Sequence, residues 1–167
     1  AGEHMDFKRI TIFAGHYGSG KTNLAVNYAL VQRALGYEVA VLDLDIVNPY
    51  FRTKDSAAVF EKAGIRLISS PYANTNVDVP ALPPAIYAMF GRRDLHIVAD
   101  VGGDDTGAVA LGRFAPQLSG EDSEMLLVVN KYRPLTAEPG GAYTIMRDIE
   151  KASRISFAAI ADNPNLG

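Results

Sequence analysis

Gly15-His16-Tyr17-Gly18-Ser19-Gly20-Lys21-Thr22 (GHYGSGKT) satisfies the pattern G-x-x-x-x-G-K-[ST], and its reading decides the fold. The glycines permit a tight loop whose backbone N–H groups turn inward around an anion. That arrangement needs a strand before the loop and a helix after it, with the helix's positive end aimed at bound phosphates. Arg9–Ala14 (RITIFA) is β-branched and aromatic-rich and reads as the strand. Lys21–Leu35 carries Leu24, Ala25, Tyr28, Val31 and Leu35 at near-helical spacing, with Gly36 as its stop. In this context residues 15–22 form a phosphate cradle. Lys21 would reach the β- and γ-phosphates of a nucleoside triphosphate, and the Thr22 hydroxyl would bind Mg²⁺.

Working outward, short apolar runs alternate with helix-like stretches. Strands are expected at Glu38–Leu42, Ile65–Ser69, Leu95–Ala99, Met125–Val129 and Ile155–Ile160. Helices are expected at Asp55–Ala63, Pro84–Phe90, Ala108–Phe114 and Ala142–Lys151, with a Pro- and Asn-rich loop between Ser70 and Pro84. Such alternation implies βαβ units with right-handed crossovers. The strand runs are almost wholly apolar, as a sheet covered on both faces requires. The expected fold is α/β, in three layers, with a mainly parallel sheet covered by helices on both faces.

Carboxylates at the carboxyl ends of such strands lie beside the crevice where ligands bind. Leu42-Asp43-Leu44-Asp45 follows the second strand; Asp45 would orient the attacking water or hold Mg²⁺ through a water, or else cap the next turn. Val47–Arg52 (VNPYFR) is aromatic for a loop and suits a segment that orders on binding. Asp100-Val101-Gly102-Gly103 closes the fourth strand, where an aspartate binds magnesium and the Gly103 N–H would sense a γ-phosphate. Asn130-Lys131-Tyr132-Arg133 has the form of the guanine-reading N-K-x-D motif, but Arg133 stands where the aspartate acceptor belongs, so adenine is favoured. Asn163, after the last strand, is either a base contact or part of an Asx turn.

Composition narrows the field. The 167 residues, 48% of them hydrophobic, suffice for one domain with a sizeable core. A formal charge of −3 from 16 basic and 19 acidic residues, without like-charge blocks, gives no support for nucleic-acid binding. With no cysteine, disulfides and thiolate-bound metals are excluded, and three scattered histidines suggest no metal site. No apolar run nears the ~18 residues of a membrane span, and the first residues lack the order of a secretory signal, so a cytoplasmic protein is expected. Ala1–Met5 (AGEHM) reads as an expression-vector remnant, leaving residues 6–167 as one nucleotide-binding domain.

These four segments, in this order, resemble the nucleotide-binding domains of the CobQ/CobB/MinD/ParA group within the SIMIBI class of P-loop NTPases, from Ile10 to the end of the chain. Asp43–Arg52 is similar to the D-x-D-x-x-N-P-Y-F-R segment of an uncharacterised bacterial ATP-binding branch. The resemblance implies ATP and Mg²⁺ as ligands, with Lys21 and Thr22 at phosphate and metal, Asp45 in switch I, Asp100 with Gly103 in switch II, and Asn130 at the base. It also implies a protein partner or a homodimer through the nucleotide face, and further helices beyond Gly167. Many members carry a signature lysine early in the loop; His16 and Tyr17 stand at that lysine and the glycine after it. A nucleotide-dependent switch with slow hydrolysis is the leading expectation. An ATP-dependent ligase or kinase acting on a small carboxylate, and a nucleotide-binding scaffold, are the alternatives.

Overall fold

Strand and helix alternate along the chain as the apolar pattern requires. The computed structural model describes residues 8–15, 21–44, 54–69, 88–102, 109, 111–112, 115–116, 122–129 and 139–162. Six strands, β1 (Ile10–Gly15), β2 (Glu38–Asp43), β3 (Arg66–Ser69), β4 (Leu95–Gly102), β5 (Ser123–Val129) and β6 (Ala159–Asp162), form one sheet. The main helices among the described residues are α1 (Lys21–Ala34), α2 (Lys54–Ala63) and α3 (Pro139–Ser153).

The strand order is β3-β2-β4-β1-β5-β6, and every pairing is parallel. From β1 the chain steps through β2 to β3 in one direction; from β4 it steps through β5 to β6 in the other. Right-handed crossovers therefore place the connecting helices on opposite faces. The core divides accordingly. On one face Phe13, Val39, Val41, Val98 and Val128 pack with Ala25 and Ala29 of α1 and Phe60 of α2. On the other, Ile12, Leu42, Ile97 and Leu127 pack with Met89, Phe90, Leu111 and Ile149.

The helix ends follow from local chemistry. Gly64 (φ 78°) stops α2 in a left-handed conformation that side chains disfavour. Its N–H bonds to the Glu61 carbonyl, and the Ile65 N–H reaches back to Phe60 at 2.8 Å, the Schellman pattern, with Phe60 and Ile65 both buried. Gly36 ends α1 in the same way, as expected from sequence.

Several strand boundaries differ from the sequence expectation, most of all the end of β4 and the start of β6. β4 does not stop at Ala99 but continues to Gly102, because β1 keeps pairing alongside it as far as Gly15↔Gly102. Asp100 therefore lies inside a strand rather than in a turn after one. The last strand begins at Ala159, not Ile155. Ile155 and Phe157 instead pack against the core, and the Phe157 N–H is held by the Glu150 carboxylate at 2.8 Å before the chain joins β5. Of the expected helices at Pro84–Phe90 and Ala108–Phe114, only residues 88–90, 109 and 111–112 are described, and these are helical. The final helix is longer than expected, opening on Pro139, where a proline lacks no needed donor.

Candidate functional site

The period-two alternation of strands decides which side chains share a face. On β4, Val98 belongs to the layer under α1, while Ile97 and Ala99 belong to the opposite layer. Asp100, two residues on from Val98, therefore faces α1. On β2, Val39 and Val41 face the same way, which places Asp43 on that face too. Asp43 and Asp100 are register partners at the carboxyl edge of the sheet. Neighbouring strands lie about 4.8 Å apart, so the two carboxylates stand side by side. Both are almost wholly buried, at 2% and 1% exposure. The Leu44 N–H donates to the Asp100 carbonyl at 2.8 Å and fixes β2 against β4 just there.

The helical period brings the cation. Lys21, Ala25, Ala29 and Gln32 form one buried stripe along α1. Alanines in its middle allow close approach to the sheet, and Lys21 is carried at its first position. The Lys21 Nζ donates to Asp100 Oδ1 at 2.6 Å, and the side chains are 4% and 1% exposed. A long cationic side chain is seldom so buried unless paired. The last member of the stripe does the corresponding job at the amino edge: Gln32 Oε1 lies 2.6 Å from Nδ1 of His96, also on β4. α1 is thus tied to β4 at both ends.

Around His96 the amino edge is closed by a second buried cation. The Arg9 guanidinium donates to the carbonyls of Phe90 (2.5 Å), Arg92 (2.7 Å) and Leu95 (3.1 Å). Tyr37 stacks on the imidazole at a centroid distance of 4.2 Å. Burial, then the Arg9 charge, holds the His96 pKa below its ordinary value, with Asp122 pulling the other way.

Of the residues singled out in sequence, Gly15 closes β1, Lys21 opens α1, and Asp100 meets Lys21. Thr22 follows Lys21 in the first turn of α1. His16, Tyr17, Gly18, Ser19, Gly20, Asp45, Gly103, Asn130 and Asn163 lie outside the described residues, as do residues 46–53, 70–87 and 131–138. Sequence reasoning passed over Asp43 in favour of Asp45. The signal was its parity with Val39 and Val41, which puts it under α1 with Asp100.

What the arrangement can hold follows from its donors. Carboxylate oxygens are the ligand type that Mg²⁺ takes, usually one or two of them together with phosphate and water. Asp43 and Asp100, with the Thr22 hydroxyl beside Lys21 in sequence, fit that requirement. Asp100 already accepts a cation at Oδ1. Among the described residues no three His, Asp or Glu side chains form an all-protein metal cluster, and Mg²⁺ does not require one.

No protein-family model matches the chain, and no curated protein does at a significant level. Solved structures do. The kinase domain of the Escherichia coli tyrosine kinase ETK superimposes with a TM-score of 0.59 at 17% identity, covering 93% of this chain and 67% of that one. The signal recognition particle receptor FtsY from Elizabethkingia anophelis, in complex with GDP, gives 0.56 at 16% identity, covering 100% of this chain and 52% of that one. A nucleotide-binding protein from Archaeoglobus fulgidus in complex with ADP gives 0.50 at 14% identity, covering 93% and 67%. The chain thus spans about half the length of the FtsY chain and two thirds of the other two. The six-stranded parallel sheet, its covering helices and these likenesses establish the chain's fold as the three-layer α/β fold of the P-loop NTPases.

Proposed function

We propose that the chain binds Mg²⁺–ATP at the carboxyl edge of the sheet and acts as a nucleotide-dependent switch with slow hydrolysis of the β–γ bond. The observation that carries this reading is the meeting of Lys21 and Asp100 at the head of α1, where the loop motif ends. In this reading residues 15–20 surround the phosphates with backbone N–H groups, and Lys21 places its ammonium at the β- and γ-oxygens. Thr22 and Asp100 hold Mg²⁺, which when bound neutralises charge developing on those oxygens. Asp45 orients the attacking water, and Gly103 senses the γ-phosphate. Asn130 and Asn163 face the base.

The choice of adenine rests on Arg133 standing where a guanine-reading aspartate would be; the fold accommodates either base, since one neighbour was solved with ADP and another with GDP. Slow turnover rests on His16, a poor substitute for the permanent cation of a second loop lysine. The same reading includes a partner at the nucleotide face, either a second copy or another protein. Calorimetric titration with ATP and Mg²⁺, with and without Lys21→Ala, tests it together with single-turnover phosphate release. Binding and turnover unchanged by the substitution would sink the proposal.

A further inference from the structure

α1 carries two stripes, and the sheet accounts for only one of them. Lys21, Ala25, Ala29 and Gln32 are buried against the strands. Leu24, Tyr28, Val31 and Leu35 recur at intervals of four, three and four residues, the spacing of a coiled-coil seam. Leu24 and Tyr28 are partly buried against the core, with Tyr28 edge-on to Phe13 at 5.5 Å. Towards the amino edge the seam emerges: Val31 and Leu35 are 48% and 61% exposed, and Tyr37 stands exposed just beyond them. The outer surface of the helix is also uncharged. Its exposed side chains are Asn23, Asn27, Val31 and Ala34, whereas α2 exposes Glu61 and Lys62, and α3 exposes Arg147, Asp148 and Lys151. The two cations of α1 are engaged elsewhere, Lys21 with Asp100 and Arg33 with the carbonyls of Ala63 and Tyr37. Arg33 lies on the flank opposite the seam, so α2 covers that flank and leaves the seam open. Among the described residues the other helices, represented by Leu111 and Ile149, pack on the far face of the sheet. Exposed apolar side chains on a surface depleted of charge are the composition of an interface core.

We infer that the Tyr28–Leu35 flank of α1 is a self-association surface, on which two copies of the chain pair this helix antiparallel about a twofold axis at Val31. Charge complementarity selects a second copy as the occupant. A twofold contact uses the same patch on both subunits, so any charge at its centre meets its own kind. This flank has no charge to bring there. Antiparallel order sets Val31 on the partner's Val31 and Leu35 on the partner's Tyr28, which keeps apolar groups opposite apolar groups. Tyr28 to Leu35 spans only about 10 Å of helix, so the contact is small and the dimer weak. The seam emerges at the end of α1 remote from Lys21, so the contact leaves the carboxyl edge of the sheet open. It therefore forms without nucleotide, and it stands independently of the nucleotide-binding reading.

The chain has no cysteine, so a single introduced thiol can form a protein–protein disulfide only with a second copy. Val31→Cys places two thiols at the axis. Val59→Cys, on α2 and equally exposed at 47%, reports random collision. With oxidised glutathione as oxidant, in EDTA and without nucleotide, Val31→Cys should form the disulfide dimer at least about tenfold faster than Val59→Cys. Sedimentation velocity of the wild-type chain, also without nucleotide, should show its mass rising towards that of a dimer as concentration increases. Leu35→Glu adds a charge at a position 61% exposed, so the fold should persist by circular dichroism while the dimer's dissociation constant rises at least about tenfold. Equal cross-linking of the two cysteine variants, or a monomer at every concentration, overturns the inference. So does a dimer that Leu35→Glu leaves intact.

Discussion

Replacing Lys21 by methionine removes the ammonium of an ion pair whose side chains are 4% and 1% exposed. At 2.6 Å and an effective dielectric near 20, the gross attraction is roughly 6 kcal/mol. Most of that is offset by the desolvation of both groups, so the pair's net worth is small. Removing one partner is different, because the carboxylate left behind stays buried without its counter-charge, at about 3–5 kcal/mol. Asp100→Leu should cost a similar amount for the converse reason. The double variant Lys21→Met/Asp100→Leu removes both charges of the pair, so its cost should fall short of the sum of the two single costs by at least about 3 kcal/mol. By contrast Lys8–Asp122, at 48% and 57% exposure, should yield less than about 1 kcal/mol in the same cycle. The chain has no tryptophan, so urea unfolding is best followed by far-ultraviolet circular dichroism, in EDTA and without nucleotide. Single variants within about 0.5 kcal/mol of wild type, or an additive double variant, would refute the reasoning.

The pH dependence of stability should carry a His96 signature. Its folded-state pKa is lowered, so between the ordinary histidine pKa and the lower folded value the unfolded chain binds a proton that the folded chain refuses. Stability should therefore fall as pH drops below about 6.5, and His96→Gln should flatten that part of the profile; an unchanged slope would contradict it. Phe60→Ala should cost about 3–5 kcal/mol in urea unfolding, since Phe60 is 1% exposed and belongs both to the core and to the α2 cap. Gly64→Ala should cost about 1–2 kcal/mol, since φ is 78° and the new methyl would also press on the Arg33 guanidinium at 3.2 Å. Arg9→Met, which strips three carbonyls of a buried donor, should cost roughly 3 kcal/mol by the same measurement.

Sequence reading placed the sheet and its covering helices because apolar periodicity reports burial directly. It placed the ends of α1 and α2 within a residue because caps are local chemistry. It misplaced the end of β4 and the start of β6 because those depend on register with β1 and β5, which a single strand does not encode. The same division holds at the site. Lys21 and Asp100 were legible from their motifs. Asp43 was not singled out, since its place beside Asp100 is a matter of pairing across two strands. The buried role of Arg9 was also hidden: its acceptors lie 81 to 86 residues away in the chain.

The most direct test of the central claim is calorimetric titration of the chain with ATP in the presence of Mg²⁺, set against Lys21→Ala that is shown by circular dichroism to be folded. The account predicts one ATP bound per chain by wild type and at least about a hundredfold loss of affinity in the variant, or some 2.7 kcal/mol. ATP binding of equal strength in both proteins, or none to wild type, would contradict it.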